Sequence, residues 1–131
     1  MDAYNPDIDP DPESWLALDE DERLSLVQDG IRTVERLPRN VNPKLHALIH
    51  VVVENQIIMG VETRVAPTLQ RLLAEGLGRH DSVHAIGSVL SKHLYRAMRW
   101  GDLAAELGDD PNEAYERELD ELTAESWRRD A

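Results

Sequence analysis

The sequence predicts an all-α fold, a compact bundle of about five helices with an extended acidic N-terminal arm. Three observations predict it. Apolar residues recur at helical spacing through most of the chain. Asp11-Pro12, Asn42-Pro43 and Asp110-Pro111 each set a capping side chain before a proline at a first helical position. Aromatic residues make up 5% of the chain and phenylalanine is absent, so the core must be Leu, Val, Ile and Ala, which suits packed helices better than a β-sandwich.

The elements follow in order. Residues 1–10 are rich in Asp and Pro and read as an extended or disordered arm. The organisation is an acidic flexible arm over 1–13 and one helical domain over 14–131, since 131 residues suffice for a single core. Asp11 caps a short turn through Leu18, anchored by Trp15, Leu16 and Leu18. Asp19 and Glu22 have the spacing of a capping box and open a helix of about 20–36, which Gly30 weakens. Asn42-Pro43 opens a helix to about residue 59, with Gly60 as its stop. Its apolar residues, from Leu45 to Ile58, cover nearly the whole circumference, which predicts a central, largely buried helix. Helices at about 63–76, 80–100 and 111–127 complete the bundle. Asp102, Asp109 and Asp110 are expected in a loop region.

Charge and composition exclude several classes. The net charge is −12, with −9 over residues 1–22, +5 over 23–101 and −8 over 102–131. Such a balance argues against a nucleic-acid partner, which needs a basic surface. Without cysteine there is no disulfide, thiolate nucleophile or Cys-type zinc site. The N-terminus has no basic-then-apolar signal, and the Leu45–Ile58 stretch is too short and polar to span a membrane. A soluble bacterial cytoplasmic protein is expected. Its exposed acidic arm and last helix suit a protein partner or homo-oligomer.

One constellation carries candidate chemistry. His46 and His50 are four apart, as are His80 and His84, and Glu54 extends the first pair to HxxxHxxxE. Residues four apart share a helix face. A polar stripe on an apolar helix needs partners, and the second pair can supply them. Gly87, Ser88 and Ser91 are small enough to let the two helices approach. Three readings follow from the residues. One is a buried hydrogen-bond network of imidazoles and Glu54. Another is a metal site of His46, His50, Glu54, His80 and His84, holding a divalent transition ion such as zinc. A third is acid–base catalysis by a His–Glu pair. His80-Asp81 resembles the metal-binding dipeptide of HD-type phosphohydrolases, with His46 upstream. That pattern lacks a distal aspartate, and Asp81 is explained by a helix N-terminus. His93 falls on another face and reads as a surface residue. There is no Gly-x-Ser-x-Gly elbow and no phosphate loop, which leans away from an enzyme.

The stretch Asn42-Pro43-Lys44-Leu45-His46, with His50, Glu54 and Gln56, resembles the bacterial domain-of-unknown-function family 1841. So do Arg71, Leu72, Leu73, His80, His84 and Tyr95, and the run from Asp110 to Tyr115. The resemblance covers about residues 42–116; the arm before residue 14 departs from it. It implies a small helical protein with no established activity. The functional expectation is a helical protein acting by partner contacts or self-association, with a structural His/Glu cluster. The alternative is a metal-binding protein or metal-dependent hydrolase built on that cluster.

Overall fold

The computed structural model describes residues 1–106 and 111–130. It is all-α: 74% helical, with no strand among the described residues. The helices are α1 (Pro12–Leu16), α2 (Glu20–Val34), α3 (Pro43–Ile58), α4 (Val65–Ala74), α5 (Arg79–Glu106), α6 (Pro111–Glu121) and α7 (Ala124–Asp130). A 3-10 turn, Gly60–Glu62, leads into α4. None of the helices is long and apolar enough to cross a membrane among the described residues.

The caps form as their residue types dictate. Asp11 accepts from Ser14 N, Asp19 and Glu22 make a reciprocal capping box, and Asn42 accepts from Lys44 N and Leu45 N. Each satisfies amide groups that the first helical turn leaves without partners. Asp102 lies within α5, not in a loop, because that helix runs on to Glu106; Asp109 and Asp110 lie outside the described residues. The single helix expected over 111–127 is two helices. Thr123 and Ser126 exchange side-chain to backbone hydrogen bonds, so a new cap interrupts the run. Arg71 of α4 donates to the carbonyls of Leu119 and Leu122 at that break, and Glu75 accepts from Ala124 N.

The core has two parts, and α3 belongs to both. Val53, Leu69, Leu72, Val83, Ile86 and Leu119 anchor one between α3, α4, α5 and α6. Tyr4, Trp15, Val27, Ile31, Ala47 and Val51 form the other between the arm, α1, α2 and α3. Trp15 is buried and its indole N–H donates to Asn55 Oδ1 at 2.8 Å, whereas Leu16, expected beside it, is 60% exposed. The helix read as buried on most sides leaves Leu45 and Leu48 exposed at its N-terminal half, where Leu45 borders an open cleft.

In the structure the arm packs against the helices. Tyr4 is only 3% exposed, and Asp9 and Pro6 both bind Arg79. Tyr4, Pro6 and Pro10 are all buried, and Tyr4 joins core residues of α1, α2 and α3. Gly30 makes the seat: a Cβ there would lie 2.2 Å from the Tyr4 carbonyl oxygen, inside van der Waals contact. The residue that weakens α2 as a helix therefore admits the arm's backbone. Gly87 does the same for α3 against α5, where a Cβ would lie 2.9 Å from Ile49 Cγ2.

Candidate metal centre

Four histidines converge on one carboxylate. Glu35 follows the last turn of α2, where its backbone turns extended and aims the side chain between α3 and α5. Its Oε1 lies 2.8 Å from His84 Nε2 and 3.4 Å from His80 Nε2. Its Oε2 lies 3.1 Å from His46 Nε2 and 3.8 Å from His50 Nε2. The close approach at Gly87 brings the two His pairs together, so His50 and His84 meet Nε2 to Nε2 at 3.1 Å. One donor atom each from Glu35, His50, His80 and His84 lies within 4.8 Å of the others. His46 borders this group, its ring 4.9 Å from that of His50 and 5.2 Å from that of His84.

Glu54 stands apart from the imidazoles. Its carboxylate is fully buried and takes Arg79 bidentately, at 2.7 and 2.9 Å, and the Tyr4 hydroxyl at 2.5 Å. The spacing expectation put Glu54 on the histidine face. Each i, i+4 step drifts about 40° round a helix, so two steps from His46 carry Glu54 roughly 80° away. That turn points it at the arm and at Arg79, the first residue of α5. Burial disfavours the Arg79 cation. The hydrogen bonds and charge of Glu54, then of Asp9, more than reverse this and hold its pKa above the ordinary value. Burial, followed by the Glu54 charge, likewise keeps Tyr4 a phenol.

This outer pair orients the inner group. Tyr4 has one hydroxyl proton, and it goes to Glu54 Oε2. Toward His50 Nδ1, 3.2 Å away, the same oxygen is left to accept. The ring proton of His50 is thereby assigned to Nδ1, and Nε2 presents a bare lone pair to the cluster. Burial, then the neighbouring His84, His46 and His80, push the His50 pKa down to about 2, so its ring is neutral at physiological pH. Burial also lowers the His84 pKa, against the opposing pull of Glu35. His80 Nε2 is buried with no hydrogen-bond partner. Imidazole nitrogens and the Glu35 carboxylate thus face one another across a small space.

No protein-family model, curated protein or solved structure matches this chain. The chemistry of the site therefore rests on its own geometry.

The donor set fits a first-row transition ion. Ligand atoms about 2.0–2.2 Å from one tetrahedral ion lie roughly 3.3–3.6 Å apart. The donor atoms here lie within 4.8 Å of one another, so binding draws the farthest of them in by up to about 1.5 Å. A cleft of ≈ 440 Å³ opens beside the group, with His46, His50 and His84 on its floor and Gly87, Ser88 and Ser91 along one side. Among the described residues, none that lines it is Asp, Glu, Lys or Arg.

Of the residues singled out from sequence, His46, His50, His80 and His84 come together and Glu54 lies behind them. Glu35, Tyr4 and Arg79 were missed. His93 is not a surface residue: its side chain is 11% exposed, its Nε2 is 3.5 Å from Glu118 Oε2, and Tyr115 packs on its ring. α6 folds back over α5 and covers it.

Proposed function

We propose that this protein binds one divalent first-row transition ion between Glu35, His50, His80 and His84. The observation that carries the reading is the convergence of these four donors within 4.8 Å, with His80 Nε2 buried and without a hydrogen-bond partner. Three imidazoles and one carboxylate suit zinc, iron, cobalt or nickel better than magnesium or calcium, which prefer all-oxygen shells. Tyr4 and the Glu54–Arg79 pair are the outer layer that fixes the tautomer and direction of His50. The two His pairs, far apart in sequence, supply all the imidazoles of the site.

The test uses the full chain purified without a histidine tag. Elemental analysis and Co(II) titration should give one ion per chain, with visible Co(II) bands of a low-coordinate nitrogen–oxygen site. His80→Ala and Glu35→Gln should lose the ion while remaining helical by circular dichroism. Chelation should lower the melting temperature of the wild type and leave that of His80→Ala unmoved. A folded wild type that takes up no Co(II), Zn(II) or Fe(II) would overturn the proposal and leave a buried hydrogen-bond network in its place.

A further inference from the structure

The cleft beside the cluster is built to do more than expose it. His50 and His84 are both candidate ligands and cleft-lining residues, so an ion held by them has one side toward the cleft. His46, which lies outside the four-donor group, is on the same floor. From there the cleft runs between Leu45, Ile49 and Val83 and reaches Trp127. Its volume, ≈ 440 Å³, is in the lower part of the range of about 300–1,000 Å³ that small-molecule pockets occupy.

Charge selects the ligand. Glu35 contributes one negative charge and metal-bound imidazoles are neutral, so a divalent ion leaves one positive charge beside the cleft. A single carboxylate neutralises it. A phosphate dianion or nucleotide would find no Lys or Arg among the described residues of the walls to balance its further charge. The side of the cleft formed by Leu45, Ile49, Val83 and Trp127 is apolar and matches an aliphatic or aryl tail.

We infer that the cleft binds a small monocarboxylate with an apolar tail, the head group completing the shell of the ion and the tail lying along Leu45, Ile49 and Trp127. This rests on the metal reading above and names the ligand class of that site.

The experiment uses the Co(II)-loaded full chain titrated with acetate, butyrate, hexanoate, octanoate and inorganic phosphate. Direct coordination changes the Co(II) visible bands. Affinity should rise roughly fourfold for each methylene buried against the walls, from butyrate to octanoate. Phosphate at the same concentrations should leave the bands unchanged. Ser91→Phe fills the cleft about two helical turns from His84. It should load Co(II) with wild-type bands and bind octanoate at least tenfold more weakly. Unchanged bands with every carboxylate, or octanoate binding no tighter than acetate, would overturn the inference and leave the metal site standing. Failure to load Co(II) at all would overturn both.

Discussion

Glu54 and Glu35 are both carboxylates near the imidazoles, and replacing each by Gln should separate their roles. Glu54 is fully buried and accepts two hydrogen bonds from Arg79 and one from Tyr4. In Glu54→Gln the side-chain NH2 must face a guanidinium or a phenol donor, and the Arg79 charge keeps only the exposed carboxylate of Asp9. Breaking one partner of a buried ion pair costs about 3–5 kcal/mol. That is a large part of the roughly 5–15 kcal/mol expected for a domain of this kind. Urea unfolding of chelator-treated protein measures the loss without any contribution from bound metal. The cost of Arg79→Met should shrink by at least ~1.5 kcal/mol in the Glu54→Gln background, because the lost partner is shared. Glu54→Gln, where it folds, should keep its metal stoichiometry. Glu35→Gln should do the reverse, losing metal with an apo stability within about 1 kcal/mol of wild type, since its side chain is at the edge of the core and 11% exposed. A Glu54→Gln protein that is folded and metal-free would refute the division of labour, as would additive costs at Glu54 and Arg79.

Tyr4→Phe keeps every proposed ligand but removes the oxygen that accepts from His50 Nδ1. Metal affinity, read by competition with a chelator, should fall about 10–100-fold, and an unchanged affinity would count against the tautomer assignment. Gly30→Ala places a methyl group 2.2 Å from the Tyr4 carbonyl and should unseat the arm. We expect a loss of ~1–3 kcal/mol and faster amide exchange around Tyr4, and normal protection there would contradict the packing. Acid should destabilise the chelator-treated protein. The folded His50 pKa, about 2, lies below the ordinary 6.5, so between those values the unfolded chain binds the proton that the native state refuses. Its stabilising contribution is present above pH 6.5 and declines as pH falls, by up to about 1.4 kcal/mol per pH unit. His84 is shifted the same way. Urea midpoints that stay flat between pH 7.5 and 5 would show that these rings are not held neutral.

Local chemistry made most of the fold legible. Asp19 with Glu22, and Asn42 before Pro43, state helix starts within four residues, and the structure has them there. The two His pairs were legible for the same reason, since i, i+4 spacing is a property of one helix. What failed were the inferences that need a second chain segment. Glu35 lies beyond the last turn of α2, among Arg32, Arg36 and Arg39, and no spacing relates it to His80 or His84. Glu54 has the right spacing and the wrong azimuth. Tyr4 sits in a stretch whose composition resembles a disordered tail, and its burial depends on a glycine 26 positions later in the chain. A lone tyrosine in an acidic arm, a glycine inside an amphipathic helix and an arginine at a helix start were the available signals. Each has a local explanation that hides the shared one.

The contact between Pro6 and Arg79 spans 73 residues, so the order of synthesis matters. At about 5–20 residues per second, the first strap residues leave the ribosome roughly 4–15 s before the arginine they hold. Before Arg79 is made, Tyr4 can reach Glu54 and His50, but the Glu54 carboxylate lacks the Arg79 cation that matches its burial. Until Arg79 is made, α3 therefore lacks its inner lock, and the nascent chain should stay open to protease along the arm. The same chain then gains protection in one late step, when the start of α5 delivers Arg79, His80 and His84 within six residues. Arrested chains ending before and after that point, probed by brief proteolysis, would show the step directly.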